Sequence, residues 1–418
     1  LDVNANTSLT ILRCQANELT ALDVSSNTAL TTLRCESNQL TYLNMRNGVT
    51  DGLTGFDARN NNLSCIETLD PDYATANWTY ANGNIDEGTT FSVVCTPEGY
   101  TFVPDDNFEQ ALIDLGYDDV IDDYVVTDSI SGVTSLTISN YQNEESFISD
   151  LTGIQDFTAL TYLNCAYNSL TTLDMSSNTA LTYLQNFGNE LTSLNVSGNT
   201  ALVELHCGKN ELTSLDVTNN TSLTILGAQR NSFTSLDLSN NTSLVYLYLK
   251  EGALTSLNVS NNTALEYLDC HTNAINSLNV SKNTALTTLY CYNNQLTSID
   301  VSNKTFLTYL NLTNNELTSL YISNNTLLTR LWANNNELTS MDVTNNDTLV
   351  FLYLESNSLT TVTGVNDKIH LTYLQLKYNE LTSLDLSGCT SMVELAVSNN
   401  NLSSLDVTGC TAMVTIHA

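Results

Sequence analysis

LTYLNCAYNSLTTLDMSSNTA, residues 160–180, returns with small changes along most of the chain. Leu181 opens the next copy, and Leu202, Leu223, Leu244, Leu265, Leu286, Leu307, Leu328 and Leu349 follow at 21-residue steps. One 22-residue step leads to Leu371, and 21-residue steps lead on to Met392 and Met413. A fixed period of this length is the signature of a solenoid. The unit is L-x-x-L-x-C/L-x-x-N-x-L, then T-x-L-D-V-S-x-N-T-A. Positions below are counted from its first leucine as +0.

The spacing predicts inward side chains at +0, +3, +5 and +10. The segment from +2 to +6 is expected to pair with its counterpart in the next copy, giving a parallel sheet. Asn at +8 stands where the chain turns, and its amide can satisfy backbone groups that the bend strands. Only Gly252 departs from that column. The second half alternates apolar at +13 and +15 with polar at +12, +14 and +16, which reads as another extended run. The expected fold is therefore a β-rich solenoid with an extended second half and one short cap helix.

Outward from the repeat, four segments are distinguished. Residues 1–64 form a short first array, with Leu9, Leu30 and Leu53 at +0. Residues 65–103 break the pattern and read as its C-terminal cap and linker, a small β element. A Cys65–Cys95 disulfide would staple it, and two free thiols are the alternative. Residues 104–159 read as an N-terminal helical cap and entry repeat. Asp105 or Asp106 can cap a helix that Gly116 ends, and Val133–Ile138 imitates a repeat strand. Residues 160–418 hold a second array of twelve full repeats. Both ends cut through a repeat, so the chain is expected to be part of a longer one.

A net charge of −33, from 45 acidic and 12 basic residues, argues against a nucleic-acid partner. No apolar run is long enough for a membrane-spanning helix. Cys14, Cys35, Cys165, Cys207, Cys270 and Cys291 fall at +5, where other repeats carry Leu249, Leu312 or Val397. They read as buried small hydrophobes, with no metal-ligand spacing and no cofactor. Cys389 and Cys410, at +18, fit either a disulfide or paired thiols. The Asp column at +14 does not converge on a point as a calcium site must, so it reads as a solvated stripe.

The free positions, +2, +4, +6 and +7, would line the concave sheet. Fifteen aromatics of the second array fall there, and so do eight of the chain's twelve Lys and Arg, while acids collect at +9 and +14. Aromatic and Arg side chains are those enriched at binding hot spots. The candidate ligand-binding residues are Tyr246, Tyr248, Tyr267, Tyr290, Tyr292, Tyr309, Trp332, Phe351 and Tyr353, with Lys209, Arg230, Lys250, Arg330, His206 and His271. Aromatic ladders that merely stabilise a sheet are the plainer reading of the tyrosines, but they do not account for the sorted cations.

These repeats resemble the bacterial leucine-rich repeat family, and the Cys in the L-x-C slot is similar to the cysteine ladder of the internalin type. The PDDNFEQALIDLGYDD cap beside LTSLDVSNNTALT repeats also resembles secreted surface proteins of Bacteroidetes, commonly exported by the type IX pathway. The resemblance implies a secreted or cell-surface location and an adhesin-like role. The expected function is non-enzymatic recognition of a protein or an acidic polysaccharide. The alternative is a stiff stalk: twelve repeats at about 4.8 Å each would span roughly 55–60 Å. An enzyme is not expected, because His206, His271, His370 and His417 are scattered and form no catalytic motif.

Overall fold

A computed structural model describes residues 1–140 and 146–418. They form two compact units, Leu1–Glu98 and Gly99–Ala418.

In the second unit, three-residue strands recur at +2 to +4. Tyr162–Asn164 pairs in parallel with Tyr183–Gln185, position for position, and the pattern continues along the array. With Ser135–Thr137 at the start and Thr415–His417 at the end, the strands make a 14-stranded parallel sheet. Strand side chains alternate between faces. The middle leucines, such as Leu163, Leu205, Leu268 and Leu331, point inward and are fully buried. Each contributes about 1.5–3 kcal/mol by leaving water. The +2 and +4 side chains stand on the other face.

The strands are short because the chain turns left-handed soon after them. The residue at +7 has positive φ in every repeat of the array; examples are Tyr167 (57°), Lys209 (53°), Arg230 (57°) and Asn314 (56°). The Asn at +8 then ties successive turns together. Asn189 Nδ2 donates to the carbonyls of Cys165 (3.1 Å) and Asn186 (3.0 Å), while its Oδ1 accepts from the Leu170 amide (3.1 Å).

A second asparagine column, at +18, does the same on the opposite side. Asn199 Nδ2 donates to the carbonyls of Met175 (2.9 Å) and Asn178 (2.8 Å). Lys304, Lys368, Cys389 and Cys410 stand in for Asn in this column. Both cysteines are free thiols, and each donates to a carbonyl of the preceding turn, Cys389 to Val365 and Cys410 to Leu386. The aspartates at +14 also shape the backbone. Asp216 Oδ1 accepts from the Thr218 amide at 2.9 Å, closing the turn that follows.

The second half is less regular than expected. Its extended runs hydrogen-bond as strands in four separate pairs, among them Thr172–Asp174 with Ser193–Asn195 and Ser383–Asp385 with Ser404–Asp406. An unbroken ladder holds its strands about 4.8 Å apart. The pairing on that side is interrupted, whereas the sheet of the first half runs unbroken. The +5 column also contains one polar residue, Asn186, between Cys165 and Cys207. It is fully buried, and neither polar atom of its side chain has a partner.

The first unit repeats the plan on a small scale, with a three-stranded parallel sheet of Ile11–Arg13, Thr32–Arg34 and Gly55–Asp57. Its closing segment is not purely β. Asp70 caps a helix, Pro71–Asn77, with proline in its first turn, and Thr90–Ser92 pairs in parallel with Cys65–Thr68. Trp78 fills the end of the core against Phe56 (4.4 Å) and Phe91 (5.8 Å). Cys65 and Cys95 are bonded, with Cα atoms 5.7 Å apart. At the start of the second unit, Asp105 caps the helix Asp106–Asp114 by accepting from the amides of Asn107 and Phe108. A four-residue helix, Thr127–Ile130, follows. The expectation of one cap helix therefore falls short, because Asp70-Pro71 starts another where an extended cap was expected.

Candidate ligand-binding face

The in-register sheet turns the +2 and +4 positions into straight rows. One row runs Tyr246, Tyr267, Thr288, Tyr309, Arg330, Phe351, Tyr373. The other runs Tyr248, Asp269, Tyr290, Asn311, Trp332, Tyr353, Gln375. Most of these side chains are half-buried by one another, and Tyr246 is 38% exposed.

The rings gather into two groups. Tyr267 sits 4.9 Å from Tyr248, 6.3 Å from Tyr246 and 5.9 Å from Tyr290. Farther along, Phe351 stacks on Tyr373 at 4.9 Å and meets Tyr353 at 6.2 Å, and Tyr353 in turn meets Trp332 at 6.4 Å. Tyr373, which is not among the candidate residues, completes this second group. Burial, and then the Asp269 carboxylate, push the Tyr267 and Tyr292 hydroxyls above their ordinary range. Burial raises Tyr248, Tyr290 and Tyr353 as well. These phenols stay neutral and can both donate and accept hydrogen bonds.

The basic residues separate into different environments. Arg230 is held by Glu251 in a two-pronged pair at 2.8 and 3.1 Å. Lys250 Nζ lies 3.7 Å from Asp269 Oδ2. Lys209 lies over the Tyr167 ring at 5.5 Å, well before the aromatic groups. His206 lies 5.6 Å from Tyr183 and 3.5 Å from Glu204. His271 is not presented to solvent as expected. It is 7% exposed, its Nδ1 lies 2.5 Å from Asp269 Oδ1, and its ring stacks on Tyr292 at 4.0 Å. Arg330 lies between Tyr309 (4.8 Å) and Phe351 (4.9 Å). Two of the candidate cations are thus already neutralised within the chain, which the one-dimensional pattern could not reveal.

Among the described residues, one group of carboxylates is close enough to share an ion: Asp106, Glu109 and Asp123 in the N-terminal cap of the second unit. Glu109 is already committed, accepting from the amides of Asp122 (3.0 Å), Asp123 (3.2 Å) and Tyr124 (3.1 Å), so its role there is to fold the loop. No helix among the described residues is long and apolar enough to cross a membrane.

No family model matches the chain. A 90-residue stretch, 22% of the chain, is 36% identical to internalin J of Listeria monocytogenes and spans 9% of that protein's length. The solved functional domain of InlJ from Listeria monocytogenes, which includes a cysteine ladder, matches with a TM-score of 0.70 and 33% identity over 78% of this chain and 72% of that one. A leucine-rich repeat protein of Leptospira interrogans shares the fold at 20% identity, with a TM-score of 0.55 over 96% of this chain and 93% of that one. YopM of Yersinia enterocolitica shares it at 22% identity, with a TM-score of 0.57 over 98% of this chain and 78% of that one. Such folds serve in general as recognition scaffolds. The period, the buried cysteine column and the match to the InlJ domain agree, and the chain belongs to the bacterial leucine-rich repeat family of the internalin J, cysteine-ladder type.

Proposed function

We propose that the second array is a recognition module of a secreted or surface-exposed bacterial protein, binding a protein ligand on its inner sheet face between Tyr246 and Tyr373. The observation that carries this reading is the pair of half-exposed aromatic groups on that face, with Arg330 between Tyr309 and Phe351. Large rigid rings give contact area at little entropic cost, and neutral phenols add hydrogen bonds. An array built only as a stalk has no need to gather large rings and most of the chain's cations on one face.

The test is a binding screen of the whole chain against protein and glycan arrays, repeated with Tyr248, Tyr290 and Trp332 all changed to Ala. Binding to a protein should be found and then lost in the triple variant, with the circular dichroism unchanged. Binding that survives the triple change puts the ligand on another face. Silence across both arrays favours the stalk, and binding confined to acidic glycans replaces the protein ligand with a polysaccharide.

A further inference from the structure

Arg330 differs from the other cations of the face. Its guanidinium carbon lies 4.8 Å from the Tyr309 ring centroid and 4.9 Å from that of Phe351. Those residues are its direct neighbours in the +2 row, one on each adjoining strand. Rings on both sides attract the cation and restrict it, and the residue is half-exposed. Among the described residues no carboxylate pairs with it, whereas Glu251 holds Arg230 and Asp269 lies beside Lys250. Between Tyr246 and Tyr353, Arg330 is the basic residue of the face without an acidic partner.

A planar guanidinium fits a carboxylate through two parallel N–H···O bonds. Because the rings already restrict it, little rotamer freedom is left to lose on binding. The charge pattern selects the kind of ligand. Between Tyr246 and Tyr353 a polyanionic glycan would meet one unpaired cation, on a chain of net charge −33. A polypeptide offering a single acidic side chain among apolar ones meets one fork set among rings. We propose that Arg330 is the receptor for one acidic side chain of the protein ligand, whose apolar neighbours lie on Trp332 and Tyr353. This rests on the reading of the face as a recognition surface.

The experiment uses the whole chain and blocked tripeptides as probes: acetyl-Leu-Glu-Phe-amide, its Gln analogue, the Gln analogue with a free C-terminus, and a galacturonate oligomer. The readout is the Nε–Hε resonance of Arg330. The Glu peptide should shift it saturably and the Gln amide should not. Arg330→Lys, which keeps the charge and loses the fork, should weaken Glu-peptide binding about tenfold, read on the Trp332 indole signal. Arg330→Gln should abolish it. An equal response to the neutral peptide, or undiminished binding by Arg330→Gln, overturns the proposal. So does a response to the free C-terminus alone or to galacturonate alone. If Arg330→Gln keeps an array-identified ligand that the aromatic triple variant loses, only the Arg330 role fails. If both variants keep it, the reading of the face fails as well.

Discussion

Asp269 Oδ1 and His271 Nδ1 lie 2.5 Å apart, both buried on the sheet among tyrosines. The neighbours of Asp269 in the +4 row are Tyr248 and Tyr290, so a small acid sits in the gap between two large rings. Its second oxygen faces Lys250 at 3.7 Å. Asp269→Ala strands the imidazole, while Lys250, one-third exposed, can turn to water. Removing one partner of a buried pair costs about 3 kcal/mol, whereas Asp269→Asn keeps an acceptor and costs about 1 kcal/mol. Urea melts should rank the variants in that order, and hydrogen exchange should place the loss in the repeats around 244–291. Equal losses would mean that the pair contributes through the carboxylate charge, which both variants lack, and not through the acceptor that Asn keeps.

Gly252 interrupts the +8 asparagine ladder, and the structure locates the consequence. In other repeats the +10 amide donates to the ladder oxygen of the following turn, as Leu212 does to Asn231 at 3.0 Å. The Phe233 amide has no such partner, because Gly252 stands in that place. Gly252→Asn should supply the missing acceptor and donor and lower the entropy of the unfolded chain, raising stability by about 1 kcal/mol. The opposing effect is steric: a Cβ at this site meets Asn273 Oδ1 at 2.9 Å. That atom ends a side chain, so a small shift relieves the contact. The converse change, Asn210→Ala, removes three donated bonds and one accepted bond and should cost about 3 kcal/mol. A fall in thermal midpoint for Gly252→Asn would show that the contact wins.

The period, the inward leucines and the +8 asparagines were legible because each follows from repetition alone. A residue such as Leu205 has the same environment in every copy, so its column announces its role. Cross-strand pairing was not legible in this way. Arg230 meets Glu251 at the same position one turn on, while Lys250 at +6 reaches Asp269 at +4 of the next turn. Which acid a flexible cation reaches depends on rotamers that no column records. The left-handed +7 residues were hidden for another reason. Tyr167 and Lys209 do not favour that backbone, and the Asn ladder beside them imposes it. The helix at Pro71 does carry a local signal, an Asp70 cap followed by proline in the first turn.

The +14 aspartates make stability depend on acid. Hydrogen bonds from the following Ser or Thr hold Asp174, Asp216, Asp300, Asp342 and Asp406 below the ordinary value of 3.8. A depressed carboxylate stabilises the fold above its unfolded value, and that gain is lost as pH falls through the folded value. Stability should therefore be flat in this respect above about pH 5 and decline progressively below 3.8. Asn195, Asn258 and Asn279 make the same turn without a charge, accepting from Ser197, Ser260 and Ser281. Changing Asp174, Asp216 and Asp342 to Asn should leave the melt at about pH 7 nearly unchanged and flatten its decline between about pH 4 and pH 2.5. An unaltered acid profile would assign the decline to other carboxylates.

Asn186 is the polar member of an otherwise apolar column, and its amide has no hydrogen-bond partner at either end. The flanking residues are Cys165 and Cys207, whose thiols burial pushes up to about 12, so they remain neutral and pack as small hydrophobes. Leaving an amide buried and unpaired costs about 1–3 kcal/mol. Cysteine has almost the same volume and makes no comparable demand, so Asn186→Cys should raise stability by about 2 kcal/mol. Asn186→Ala removes the polar atoms but opens a cavity between two thiols, and the two effects should nearly cancel. The order expected in urea is Cys above Ala, with Ala close to the parent. If Asn186→Cys leaves the midpoint where it was, the amide has found partners in solution and the column tolerates it without penalty. If it lowers the midpoint, the asparagine contributes a contact that the thiol cannot replace.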